Sequence, residues 1–405
     1  MEEWKSIRLG DIVRIGSGLA YKADHLGSGD ALLLGMGCVS FNEKFLKKGA
    51  RLYSGISEER YIVSPGDIVL ATRQQSDNLP ILGMPAIIPE DYQGKRLIAG
   101  SNLYIVHNQS DIDNRFLYWL LKTPGYINHI SSCKTGTTVR MITKKDVESF
   151  VFKCPPKEER ERIADFLWSI EDKIDLNNRI NHNLEEQAQA LYKSWFVDFE
   201  PFKGGEFVRS ELGMIPKDWK VLRFNEFATL SNERVNSESI PEFSITNNGI
   251  FPRDAKFNKQ LSSSSLKNKI VRKGDLVFGM SRDILNWGVM DDLVGGVSSA
   301  YTIYRVNSSM MDGLYLKNFM NQHLSYFKDL IRPAAREGQS IDKGVLATKI
   351  VYRPSDTIWS SFLSIYLRII DQEKLLRDET QKLIAFRDTI LPELMEGRIS
   401  ISETC

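Results

Sequence analysis

Ser64-Pro65-Gly66-Asp67-Ile68-Val69-Leu70 returns 208 positions later, within Val271-Arg272-Lys273-Gly274-Asp275-Leu276-Val277-Phe278. Each copy is a Gly-Asp turn that runs into an apolar triplet. The glycine suits a left-handed corner, the short carboxylate holds the turn, and the triplet is a strand bound for a core. Upstream, Trp4-Lys5 and Leu9-Gly10-Asp11-Ile12 return as Trp219-Lys220 and Phe224-Asn225-Glu226-Phe227, with 215 positions between the tryptophans. Downstream, a helical stretch opening at Pro155-Pro156-Lys157 has a counterpart at Arg353-Pro354-Ser355, with 198 positions between Pro156 and Pro354. A period of half the chain is too long for a solenoid unit. It predicts two similar globular domains in tandem, each followed by a long helix, and a duplicated module suits a ligand that also has two parts.

The 405 residues exceed the usual size of one core. Neither a signal peptide at Met1-Glu2-Glu3-Trp4-Lys5 nor a membrane-length apolar run is visible, and the four scattered cysteines lack any Cys-x-x-Cys pair. Free thiols in a reducing cytoplasm follow from that pattern. The net charge of +1 becomes informative once it is divided along the repeat. Residues 1–155 carry +3 and residues 201–352 carry +5, whereas 156–200 carry −5 and 353–405 carry −2. Basic globular parts and acidic helical parts are the pattern expected if the former meet a polyanion and the latter do not.

From Lys157 to about Phe199 there is no Pro or Gly. Spacings of four and three run through Ile163, Leu167, Ile170, Ile174, Asn177, Asn181, Leu184, Ala188, Leu191 and Trp195. The second series is Phe362, Ile365, Ile369, Gln372, Leu376, Glu379, Leu383, Phe386 and Ile390, with Ser355 as N-cap, Pro392 as kink or end and Gly397 as terminator. Seams of this period favour a left-handed coiled coil, and two such helices in one chain most simply pair antiparallel, placing the globular domains at opposite ends of one rod. Asn177 and Asn181 read as register-setting seam positions.

The expected fold is therefore α+β. Two mixed α/β globular domains (1–155 and 201–352) are separated by two long helices (156–200 and 353–405) forming an antiparallel coiled coil, with a pseudo-two-fold internal repeat. Strands are expected around Ile12–Ile15, Leu32–Leu34, Ile68–Leu70, Tyr104–Val106, Val277–Phe278 and Ala300–Val306. Helices are expected around Asn114–Leu121 and Leu314–Leu330.

Loops able to read base edges recur at matching places. Arg73, Gln74, Gln75 and Asn78 follow one Gly-Asp strand, and Ser281, Arg282 and Asn286 follow the other. Arg matches the acceptors of guanine, and Asn and Gln match adenine, by donor–acceptor geometry. A second cluster, Lys134, Thr135, Thr137, Thr138 and Arg140 around Gly136, aligns with Arg336, Gln339 and Ser340 around Gly338. Small hydroxyl residues around a glycine offer backbone N–H groups to phosphate. These fifteen residues are the expected DNA contacts. No catalytic signature stands beside them: the five histidines lack metal-ligand spacing, Gly16-Ser17-Gly18 lacks the third dinucleotide glycine, and no Walker loop or Gly-x-Ser-x-Gly elbow occurs. The chain reads as a recogniser, not a catalyst, with no catalytic and no metal residues expected.

Leu191-Tyr192-Lys193-Ser194-Trp195-Phe196-Val197-Asp198-Phe199-Glu200-Pro201-Phe202, followed by Gly213-Met214-Ile215-Pro216-Lys217-Asp218-Trp219, resembles the central conserved region of specificity (S) subunits of type I restriction–modification systems. The stretch from Arg387 to Ile399 resembles their distal conserved region. Gly136-Thr137-Thr138 with Pro155-Pro156 and Glu158-Glu159-Arg160 resembles the end of their first target-recognition domain. The chain departs at Glu159, where the family often has Gln, at Asp356-Thr357 and at Gly338-Gln339-Ser340.

The resemblance implies two target-recognition domains, each reading one half of a bipartite, asymmetric double-stranded DNA site. It implies helices that set the gap between the halves and dock two methyltransferase subunits, leaving open whether restriction/translocase subunits join. No cofactor is expected on this chain; S-adenosylmethionine, ATP and Mg²⁺ would sit on partner subunits, which flip the target adenine out of the stack. A cytoplasmic location and no membrane partner go with it. The alternatives are a coiled-coil scaffold without a DNA role and a stand-alone nuclease or methyltransferase, which would need a metal or methyl-donor pocket.

Overall fold

The computed structural model describes residues 4–74, 80–237, 239–246, 249–253, 265–279, 284–331 and 341–401. The chain divides into two compact units, Met1–Asn181 with Lys374–Cys405, and His182–Glu373.

In the first unit, strands Lys5–Arg8 and Val151–Cys154 pair antiparallel and close the globular segment where it begins and ends. The central sheet runs in the order Val13–Ser17, Leu103–Asn108, Ile68–Ala71, Pro85–Ile87, antiparallel throughout. A second sheet, in the order Ala50–Tyr53, Leu26–Leu34, Leu97–Ala99, Ile62–Val63, belongs to this unit. Helix Asn114–Leu120 is capped by Asp113 and brings Phe116, Tyr118 and Trp119 into the core. Helix Pro124–Cys133, which the sequence reading missed, follows with a Thr123 cap.

The second unit repeats this plan. Lys220–Arg223 pairs with Ile350–Arg353, and the sheet order is Ala228–Ser231, Thr302–Val306, Leu276–Phe278, Trp287–Val289. The duplicated turn is repeated bond for bond. Asp67 accepts from Ser64 N at 2.8 Å and Asp275 from Arg272 N at 2.8 Å, with Gly66 at φ +84° and Gly274 at φ +86°. Helix Gly313–Gln322 is capped by Asp312 where the first unit uses Asp113. The expected strands, the helix near Asn114 and the α+β class are present, while the stretch around Leu314–Leu330 divides at His323 into the helix Gly313–Gln322 and a tighter 3-10 segment, Leu324–Leu330.

The long helices are Lys157–Phe196 and Asp356–Met395. Three residues past the end of the first, Phe199, a non-glycine residue in the left-handed region at φ 54°, turns the chain into the short segment Glu200–Phe202. Pro392 lies in the last turn of the second helix and does not end it; Gly397, at φ +69°, does. In the first unit their segments run antiparallel: Asn177 Nδ2 donates to Glu379 at 2.8 Å, Lys173 pairs with the same carboxylate at 3.2 Å, and Phe166 meets Phe386 edge-on. In the second unit Tyr192 and Phe196 pack on Phe362, and Phe196 on Trp359.

One of the two expected seam positions of the second helix is off by one residue. Phe362, Leu376 and their heptad equivalents face inward, but Ile365 and Phe386 are 45% and 49% exposed. The other seam position belongs to Tyr366, Glu373, Thr380, Arg387 and Leu394, all buried. Likewise Tyr192 and Phe196, not Leu191 and Trp195, carry the burial at the end of the first helix. Arg387 fits an apolar seam because Glu171 receives it: both side chains are 3% exposed and ion-paired. The remaining guanidinium nitrogens donate to Asp388 at 2.7 and 2.9 Å.

Lys122 lies close by and buried, its ammonium donating to Tyr118 Oη at 3.1 Å. Burial and the neighbouring Arg387 guanidinium push it down to about 8.

Removing one partner of a buried pair strands a charge. Arg387→Ala should therefore destabilise the first unit by about 3–5 kcal/mol in denaturant unfolding, whereas Glu171→Met with Arg387→Met should recover most of that loss. Between pH 8 and 10.5 the folded chain has released the Lys122 proton while the unfolded chain still binds it. Stability should therefore rise with pH across that window, and the Lys122→Met variant should lack that part of the rise in thermal melts against pH.

Candidate DNA-reading surface

The first unit brings the two predicted loop clusters together. After strand Ile68–Ala71 the chain continues as Arg73–Gln74, which pairs antiparallel with Arg140–Met141; Arg73 lies opposite Met141 and Gln74 opposite Arg140. Thr135 then pairs with Met141 on its other side, through Thr135 N to Met141 O at 3.0 Å and Met141 N to Thr135 O at 2.9 Å. The result is a three-segment ribbon continuous with the central sheet.

Strand alternation gives that ribbon two unlike faces. Thr72, Gln74 and Ile142 are buried, and Arg140 is half-buried; Arg73, Thr135 and Met141 are exposed. Gln74 Oε1 accepts from Leu82 N at 3.2 Å, so this amide holds the loop from within. Arg140 Nη1 donates to Gly136 O at 2.6 Å and ties the tip to its stem. Tyr104 Oη donates to Ile142 O at 3.0 Å, fixing the ribbon to a central strand. Lys134, Thr137 and Thr138 stand exposed around the tip. Gly136 sits at φ +90°, and a Cβ there would lie 2.2 Å from Val139 O, so only glycine turns this corner.

In the second unit, strand Leu276–Phe278 leads to Gly279, whose N donates to Asn286 O at 2.8 Å. Asn286 is half-buried. Ile331 and Ile341, on either side of the second cluster, are joined by an antiparallel bridge. Gln75, Asn78, Ser281, Arg282, Arg336, Gln339 and Ser340 lie outside the described residues.

The second copy of the Gly-Asp turn carries an added clasp. Arg272 grips Glu233 through two bonds of 2.5 and 2.6 Å, and Arg305 reaches both Asp275, at 2.9 Å, and Glu233. Arg272 holds the Glu233 carboxyl down at about 2, while burial raises Asp275. Trp4, at the start of the first repeat, donates to Glu159 at 3.1 Å and stacks against Gly397; a Cβ there would meet its ring at 3.0 Å. Among the described residues no helix is long and apolar enough to cross a membrane.

Residues 1–186 match the family described as the Type I restriction modification DNA specificity domain. The chain is 25% identical, over 313 residues, to the Type I restriction enzyme MjaIX specificity subunit of Methanocaldococcus jannaschii, covering 72% of this chain and 70% of that one. It is 30% identical, over 207 residues, to the Type I restriction enzyme HindI specificity subunit of Haemophilus influenzae, covering 50% of this chain and 43% of that one. Its fold is similar to that of the type I restriction-modification system S subunit from M. genitalium, with a TM-score of 0.55, 12% identity and coverage of 98% and 97%.

A residue forced into the left-handed region against a carbonyl costs about 1–3 kcal/mol locally. Gly136→Ala should therefore speed hydrogen exchange at the Thr135 and Met141 amides while leaving the global unfolding temperature nearly unchanged.

Proposed function

We propose that the chain is a type I restriction–modification specificity subunit, the family that residues 1–186 match and whose members its relatives are, and that its two repeats divide the work. It recognises DNA sequence as part of a restriction–modification complex. The first globular segment reads one half of a bipartite, asymmetric site and the second reads the other half. The long helices set the spacing between the halves and carry the surfaces on which two methyltransferase subunits dock. A 40-residue helix is about 60 Å long, on the scale of one to two turns of a duplex. Catalysis, S-adenosylmethionine, ATP and Mg²⁺ belong to the partners, and the complex works in the cytoplasm.

The observation that carries this reading is the repetition of one scaffold with different loops upon it. The Gly-Asp turns at Asp67 and Asp275 are equal in geometry, yet the segments they deliver differ in sequence and in the clasp around them. Equal frames with unequal loops fit a reader of two unequal half-sites. Basic globular segments and acidic helices support the same assignment of DNA and protein partners. Nothing favours a scaffold without a DNA role.

Methylation-sensitive sequencing of DNA from cells with and without the chain should show one bipartite motif that disappears with it. Arg73→Ala should weaken specific binding by about 1–3 kcal/mol and relax one half of that motif only. Lys134→Ala should weaken binding to all sequences alike and lower the salt slope by about 1.

A further inference from the structure

We propose that Arg73, Met141 and Thr135 form a single base-reading row of the first unit, and that Met141 is a specificity-determining residue that packs on a thymine methyl group in the major groove. The proposal rests on the DNA-recognition reading above.

The row follows from the register. Met141 is directly opposite Arg73 on one side and Thr135 on the other, so all three side chains leave the same face of the ribbon. Ile142 N bonds to Thr72 O, while the Met141 N–H and C=O are both used by Thr135. Arg73 and Met141 are therefore a non-hydrogen-bonded pair, the kind in which facing side chains come closest. The partners on the opposite face, Gln74 and Arg140, are occupied in holding the loop.

Met141 is 41% exposed beside an exposed arginine, although the ribbon has a buried face that could have taken it. A long apolar side chain held outward between a guanidinium and a hydroxyl matches the chemistry of base edges. Arginine takes the guanine O6 and N7, threonine serves either kind of edge, and apolar carbon fits the thymine C5 methyl, which only the major groove displays. Three segments at about 5 Å spacing place the row across about 10 Å, within the roughly 12 Å width of that groove, which admits a β-ribbon. The tip residues Lys134, Thr137 and Thr138 are then left for the phosphates at its side.

The test uses the complex of the chain with its methyltransferase partners and duplexes carrying the motif found by sequencing. Each thymine of the first half-site is replaced in turn by deoxyuridine, which removes only the methyl group. Wild type should lose about fourfold in affinity at one such position, the worth of one buried methyl. Met141→Ala should lose a similar factor on the thymine duplex and become indifferent to that one replacement, with its melting temperature unchanged. Met141→Leu should keep the discrimination. Unchanged binding by Met141→Ala, or undiminished sensitivity to every replacement in that variant, would overturn the row. If wild type itself fails to distinguish the motif from scrambled DNA, sequence recognition by the complex fails instead, a separate result.

Discussion

The carboxylate of Glu171 and the guanidinium of Arg387 are both withdrawn almost completely from water, and neither could be so without the other. Such a pair adds little net stability compared with apolar residues of the same size, but it is intolerant of error. A shift of either helix by one turn leaves the Glu171 carboxylate buried without its partner and Arg387 with Asp388 alone. Trp119 lies over the same guanidinium at 5.7 Å, so the helix Asn114–Leu120 is set against the pair, and the central sheet packs on that helix. The ribbon that extends strand Ile68–Ala71 thus inherits its placement from an ion pair far along the sequence. In the second unit the corresponding seam is filled by Tyr192, Phe196, Trp359 and Phe362, which cohere through area and ring contacts and impose no such pairing rule.

The repeated frame and the unrepeated loops obey different constraints. Asp67 and Asp275 do the same work in their turns, and Asn108 and Asn307 each accept from the amide and hydroxyl of a serine two residues on. Those bonds decide only where strands begin and end, and the frame can keep them whatever the DNA sequence. What the strands deliver is free to change, because a ribbon end carries little of the core. A reader built this way can alter its specificity without refolding.

Much of this was legible in the chain. Gly-Asp corners, apolar triplets and a heptad free of glycine and proline are local signals with local causes, and the elements they announced are present. The second helix was misread at one seam position for a physical reason: Glu373, Thr380 and Arg387 look solvent-facing until their partners are known. The ribbon shows the same limit at finer scale. Arg73 and Gln74 are equivalent as sequence, both suited to base edges, and only strand alternation sends one outward and the other to Leu82 N. Met141 escaped notice because nothing in a lone methionine announces exposure. Tyr104, which anchors the ribbon from a strand some forty residues away in sequence, left no signal at all.

The first unit is also discontinuous: it takes residues up to Asn181 and then again from Lys374, whereas the second is one unbroken stretch. During synthesis Glu171 and Trp4 leave the ribosome long before Arg387 and Gly397 exist, so the earlier-made reader waits with an unpaired carboxylate and an uncovered indole. The second unit, although made later, holds all its own residues and can close first. Completion of the first reader is thereby tied to arrival of the last helix, and a chain cut short before Arg387 would carry one finished reader and one that cannot be finished.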